Sequence, residues 1–345
     1  MERIRIGLIG AGGNTRVRHI PGFRAIEGVE IVAVANRTRE SSQRVADEFG
    51  IPKVADSPEE VIADPDVDAV CIGTWPYRHR EYTVAALEAG KHVLCEARMA
   101  MDAREAEEML AAAEAHPDLV AQLVPAPFDF RLGPTIVRMV NDGTLGTIHE
   151  VTVQVLNGGG IDPDAPAHWR HRIDLSGHNT MMMGIFNEMV QRWLGDTTRV
   201  VAHARVFVPE RRDAETGRRI RVEIPDSLGI FADMACGARA TYHISSMTSA
   251  APYTGVVLFG SRATLRWKLN DTATWAVHGE EFHELAPDAG TDRGWRVEAD
   301  FIDSIRNGTP VRLTSFRDGV KYMRFTDAVW TSWHEGRAVD VLPLE

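Results

Sequence analysis

Between residues 4 and 125, short β-branched runs alternate with helix-like stretches, and this alternation commits that part of the chain to a parallel sheet flanked by helices. The runs fall at 5–9, 30–35, 69–73, 92–96 and 120–124. The clearest helix between them covers 103–113, where Ala103, Ala106, Met109, Leu110 and Ala113 recur at helical spacing. After a helical stretch around 134–142 the rhythm changes. Strand-like segments at 150–156, 200–208, 227–234, 238–245, 256–259 and 264–268 then follow with little helix among them, the pattern of a mostly antiparallel sheet. Helices are expected at 181–194, 297–306 and 316–335. A length of 345 residues suits two domains better than one.

Gly10-Ala11-Gly12-Gly13-Asn14-Thr15 stands where the first strand gives way to a helix, the context that makes a glycine fingerprint meaningful. Gly10 permits the tight turn, and Gly12 and Gly13 let backbone amides approach a diphosphate at the start of the helix. Asn14 and Thr15 complete the candidate loop; Thr15 replaces the usual small residue, so looser packing of helix on strand is expected there. The second strand ends in Asn36, Arg37, Thr38 and Arg39, with no carboxylate to accept from a ribose 2′-hydroxyl. A guanidinium suits a 2′-phosphate, which favours NADP, with NAD as the other possibility. The plainer reading makes both arginines exposed loop cations. The expected organisation is therefore a doubly wound α/β Rossmann domain over 1–125 that binds a dinucleotide. An α+β domain over 126–345, with an open, mostly antiparallel sheet, would serve substrate binding and oligomerisation.

A net charge of −11 argues against nucleic acid and anionic membrane surfaces as partners. Arg211, Arg212, Arg218, Arg219 and Arg221 are interrupted by Asp213, Glu215 and Gly217 and read as a solvated hairpin tip. Cys71, Cys95 and Cys236 are odd in number and widely spaced, which suits reduced thiols in a cytoplasmic protein. The N-terminus runs straight into a strand, so no signal peptide is expected, and no apolar run reaches spanning length. His168 and His171 lack a carboxylate at ligand spacing, so no metal site is expected.

Further motifs carry a resemblance over essentially the whole chain. They are Ala86-Leu87-Glu88-Ala89-Gly90-Lys91-His92-Val93-Leu94-Cys95-Glu96, Asp142-Gly143-Thr144-Leu145-Gly146, His168-Trp169-Arg170, Arg192-Trp193-Leu194-Gly195, and the run from Asp300 to Gly308. With the fingerprint, they resemble the Gfo/Idh/MocA oxidoreductases, named after glucose-fructose oxidoreductase and inositol dehydrogenase. The resemblance implies NAD(P)-dependent oxidation or reduction of a carbinol on a sugar, cyclitol or related polyol, and a homodimer or homotetramer. It also implies that Glu96 lies near the nicotinamide. The family's Glu-Lys-Pro reads Glu96-Ala97-Arg98 here, so the lysine is missing and, without proline, a trans bond is expected at Ala97-Arg98. Arg98 either moves its charge into the vacated space or points to solvent. Counting back from Arg192-Trp193-Leu194 puts Met182 and Phe186 where the family carries an Asp and a proton-exchanging His.

Something else must then move the proton, because a carbinol needs a base or acid within hydrogen-bond reach. His178, with Asn179, is the first candidate, at the entrance to the 181–194 helix; the alternative makes His178 a cap or surface histidine. Arg98 is the third catalytic candidate. Thr74, Trp75, His79, Trp169 and Arg170 join the cofactor set: Trp75 either packs on the nicotinamide or belongs to the core, and Tyr77 or His79 reaches the ribose. Glu188 reads as an ion-pair partner on the surface or between domains, and Gly158-Gly159-Gly160 as either a loop able to cover a pocket or only a long turn. Two other functional outcomes remain open: a cofactor-retaining lyase, epimerase or glycoside-cleaving enzyme working through a transient ketone, and a homologue that binds cofactor without catalysis.

Overall fold

Continuous apolar runs build the first sheet, as expected where helices cover both faces. Its strands are β1 (Ile4–Ile9), β2 (Val29–Ala35), β3 (Lys53–Val54), β4 (Ala69–Ile72), β5 (His92–Cys95) and β6 (Ala121–Leu123). They pair in the order β3-β2-β1-β4-β5-β6, all parallel, with the reversal of winding between β1 and β4. The connecting helices are α1 (Ile20–Arg24), preceded by a wide helical turn over Thr15–His19, then α2 (Arg39–Phe49), α3 (Pro58–Ala63), α4 (His79–Glu88) and α5 (Ala103–Ala115). Local capping fixes their starts: Thr38, Ser57 and Asp102 each accept an amide hydrogen bond at their helix N-termini. This computed structural model describes residues 3–250 and 252–344.

The second sheet draws on α6 (Gly133–Asn141), β7 (Ile148–Leu156), α7 (Ile173–Ser176), α8 (Met183–Leu194) and β8 (Thr197–Arg205). A small hairpin of β9 (Glu210–Arg212) and β10 (Arg219–Arg221) precedes β11 (Ser227–Met234), β12 (Arg239–Ser245), β13 (Tyr253–Gly260), β14 (Ala263–Lys268), β15 (Thr272–Val277) and β16 (His283–Glu284). The chain closes with α9 (Val297–Asn307), α10 (Phe316–Glu335) and β17 (Val339–Asp340). Nine strands pair as β16-β15-β14-β13-β7-β12-β11-β8-β17, antiparallel except for the parallel β7–β12 pair. One sheet face is apolar and packs with residues of α6, α8 and α10 into a core that includes Val153, Phe186, Trp193, Tyr242, Trp267 and Phe325. The other face shows solvent Val201 and, opposite it in register, Phe231.

The division between units falls at Pro125/Ala126, but the 126–345 expectation needs one correction. Residues 296–320 belong to the first unit. There Phe301 of α9 meets Phe23 edge-on at 6.4 Å, Gln122 donates to the Val297 carbonyl, and Leu123 donates to the Thr314 carbonyl. Helical periodicity reveals a buried face but not the sheet it covers. The helix expected at 181–194 begins two residues later, because Met181 adopts a left-handed φ of 43° before the first turn.

Candidate active site

In the first unit the fingerprint follows β1. Gly10 has φ +81° and a Cβ there would lie 2.7 Å from Thr74, so this position requires glycine. A Cβ on Gly13 would meet nothing within 4 Å, and one on Gly12 only the Gly73 carbonyl at 3.8 Å. The turn is thus clear on its outer side, a surface that fits a diphosphate approached by backbone amides. Thr15 does not loosen the packing. It is buried, its hydroxyl donates to the Gly10 carbonyl, and a Cβ on Gly73 would fall 2.2 Å from that hydroxyl. Glycine on the β4 side absorbs the bulk that threonine adds.

At the end of β2 the Asn36 side chain accepts from the Ala11 amide and donates to the Ser41 carbonyl, tying the fingerprint loop to α2. Thr38 caps α2. Arg37 is exposed, and Arg39 forms a surface ion pair with Asp56. Asn14 donates to Glu96, whose other oxygen accepts from the Ala97 amide.

That same Glu96 faces His19, which sequence reasoning missed. His19 is buried, with Nε2 3.0 Å from Glu96 and Nδ1 2.5 Å from Glu298 on α9. Burial alone depresses this imidazole, but the hydrogen bonds and charges of Glu298 and Glu96 outweigh it and raise its pKa to about 9. Burial works to raise Glu96, yet hydrogen bonds from His19, Asn14 and the Ala97 amide bring it below the usual carboxylate range. A histidine one residue before Ile20-Pro21, at the buried phase of the fingerprint helix, was the available signal.

The turn after Glu96 departs from expectation: the Ala97–Arg98 peptide bond is cis. The trans expectation considered only intrinsic preference, whereas this turn is fixed by buried neighbours. The Arg98 and Met99 carbonyls face Nδ1 of His79 at 3.0 and 3.2 Å, and the Thr74 carbonyl faces Nε2 at 2.9 Å. His79 is fully buried, and burial lowers its pKa toward the neutral ring. It braces the turn from inside rather than reaching a ribose. Of the two alternatives for Arg98, pointing to solvent is excluded, because its side chain is buried. Trp75 precedes a short helical turn over Pro76–Arg78 and is partly exposed.

Within the second unit, Nδ1 of His178 meets Asp327 of α10 at 2.7 Å, and its ring stacks on Trp330 at 4.7 Å and 13°. The side chain is 30% exposed, and Nε2 has no hydrogen-bond partner among the described residues. A carboxylate on Nδ1 fixes the tautomer with the proton on that nitrogen, leaving Nε2 free to accept one. Asn179 is buried, and its amide donates to the Ser176 carbonyl, closing the turn that carries His178. Met183 and Phe186 lie in the core, where Phe186 stacks on Phe128 at 5.1 Å. Glu188 does pair with Arg192, but in a buried setting where it also accepts from the Ala126 amide. Asp129 joins them, bound by Arg192 and the Trp193 indole, and burial pushes its carboxyl up to about 6.

Arg211 corrects the reading of a fully solvated hairpin. It is buried, and its guanidinium donates to the carbonyls of Gly160, Asp162 and Ala165, fastening the loop after β7. Beyond that loop the Arg170 guanidinium sits 4.3 Å over Trp169. Nearby His171 is held neutral, its pKa lowered to about 4 by burial and by Arg211. Among the described residues no group of three or more His, Cys, Asp or Glu is arranged to hold a metal, and no helix is long and apolar enough to cross a membrane.

Residues 4–122 match the family profile described as "Oxidoreductase family, NAD-binding Rossmann fold", and residues 135–266 match "GFO/IDH/MocA C-terminal domain". The chain belongs to the Gfo/Idh/MocA oxidoreductase family. It is similar to 1,5-anhydro-D-fructose reductase of Ensifer adhaerens, 47% identical over 109 residues, a stretch spanning about a third of each chain, 32%. D-xylose 1-dehydrogenase (NADP(+)) 2 of Haloferax volcanii is 29% identical over 97% of this chain and 99% of that one. A solved structure of levoglucosan dehydrogenase with NADH and L-sorbose has the same fold, with a TM-score of 0.87 at 21% identity over 99% of each chain.

Proposed function

We propose that this family member is an NADP-preferring oxidoreductase of a sugar, cyclitol or related polyol carbinol, with His178 as the group that exchanges the hydroxyl proton. The observation that carries this reading is the His178–Asp327 pair: a partly exposed imidazole, fixed in tautomer by a carboxylate and in orientation by Trp330. The family's usual histidine position is occupied by Phe186, which is committed to the core, so a proton-handling group elsewhere is required.

When bound, a nicotinamide ring takes up or gives up the hydride. The chain's own residues do the rest. Gly12, Gly13 and Asn14 offer backbone to the diphosphate, and Asn36 fixes the loop. The neutral amide of Asn36, in place of a carboxylate, removes repulsion against a 2′-phosphate, and Arg37 supplies charge beside it. During oxidation Nε2 of His178 accepts the hydroxyl proton, and Asp327 stabilises the resulting imidazolium through Nδ1; reduction runs the same transfer backwards. Outward-facing Val201 and Phe231 on the nine-stranded sheet support a homo-oligomer.

Calorimetric titration with NADP+, NADPH, NAD+ and NADH tests the cofactor assignment. Binding is expected to be tighter for the phosphorylated pair, and Arg37→Ala should narrow that preference by about tenfold, the scale of one charge-assisted hydrogen bond. No heat with any of the four, or a native preference for NAD(H), would overturn it.

A further inference from the structure

Three parts of the first unit converge on one imidazole. His19, on the helix opened by the fingerprint, lies between Glu298 of α9 and Glu96 after β5 and is fully buried. Both ring nitrogens face carboxylate oxygens, whose negative charge favours the imidazolium, the form able to donate from both; the uncharged carbonyls around His79 supply no such charge. Gly22 leaves room for this arrangement, since a Cβ there would come within 2.6 Å of the Glu298 carboxyl.

Resting on the dinucleotide reading above, we infer that His19 and Glu298 are positioning residues that keep Glu96 as an ionised, oriented carboxylate and thereby favour the oxidised, cationic nicotinamide over its neutral reduced form.

The location follows from topology. In a doubly wound sheet the dinucleotide lies outside the carboxyl ends of the strands at the reversal of winding, with its adenosine half toward β2. The other half then runs toward β4 and β5, and Glu96 is the first residue after β5. Glu96 is also the accessible member of the triad, with its side chain 14% exposed against 3% for Glu298 and 0% for His19. Its oxygens are aimed by Asn14 from the fingerprint and by the Ala97 amide.

Charge supplies the preference. One imidazolium between two carboxylates leaves a negative charge uncompensated, and in a poorly solvated site that charge attracts a pyridinium cation and does nothing for a neutral dihydropyridine. The buried thiols and His79 beside the triad add no compensating charge, and the buried Arg98 guanidinium two residues beyond Glu96 is the same in every protein compared, so a change made at Glu298 reads the triad's own charge. Burial raises the thiols of Cys71 on β4 and Cys95 on β5, keeping them neutral, and burial lowers His79 of α4. His19, raised to about 9, holds its proton throughout the neutral range.

The test compares oxidised and reduced cofactor affinity, by calorimetry, in the native full-length chain, Glu298→Gln and His19→Gln. Glu298→Gln keeps the side chain's shape and an acceptor but removes one charge. The preference for oxidised over reduced cofactor is expected to fall by about tenfold, the equivalent of one pKa unit of differential interaction. NMR titration of labelled histidine should place the His19 midpoint near 9 in the native chain and lower it in Glu298→Gln. Binding of both forms with an unchanged ratio in folded Glu298→Gln removes this inference alone. Should neither variant fold, a native His19 midpoint at or below the ordinary imidazole value still overturns it. Failure of the native chain to bind any form removes the cofactor reading, and this inference with it.

Discussion

At His178 the chain brings together residues far apart in sequence, and the pairing decides what the imidazole can do. Asp327→Asn keeps the size of the partner but replaces an obligatory acceptor with a group that can also donate, so the ring loses its tautomer bias. His178→Gln removes the exchangeable proton altogether. Both are expected to lower kcat by about two to four orders of magnitude, the usual worth of a positioned acid/base, while cofactor affinity stays unchanged. Equal loss of cofactor binding would point to a structural role. Phe186→His, which restores the family's usual residue type, should give no gain in turnover and destabilise the fold by about 2–4 kcal/mol in denaturant titration, because Phe128 and Trp267 offer it no hydrogen-bond partner. The sequence position of His178, at a helix entrance, was legible; Asp327 and Trp330 were not, since a partner 149 residues away leaves no local signal.

Elements differ in how much of themselves the chain spells out. The first sheet's strands are readable because fully buried parallel strands need unbroken apolar runs. The fingerprint is readable because its glycines do a backbone task that other residues cannot. Arg211 is the opposite case: within a run of arginines and acids it looks like one more solvated cation, and only the fold shows three carbonyls gathered around it. That cage turns the Gly158-Gly159-Gly160 stretch from a free flap into a fastened loop. Arg211→Met fills similar space without donors and strands those carbonyls, at about 1–3 kcal/mol each where water cannot replace the bond. Limited proteolysis should then cut between residues 157 and 167 much faster than in the native chain; an unchanged cleavage rate would show that the loop is held by other means.

For the molecule as a whole, His19 links stability to pH. Its folded pKa of about 9 exceeds the ordinary 6.5, so the stabilisation is complete below 6.5, declines as pH rises between those values, and is gone above 9. Chemical denaturation at pH 6.5 and 9.5 should differ by up to about 3 kcal/mol, and His19→Gln should flatten the difference. A native profile without that decline would sink the prediction. The return of residues 296–320 to the first unit has a consequence for how the protein is made. A nascent chain that has emerged only through Pro125 carries His19 and Glu96 but not yet Glu298, so the triad is completed only when almost the last stretch is translated. For the same reason residues 4–122, convenient as a profile boundary, would make a poor graft into another scaffold, since they leave the third member of the triad behind.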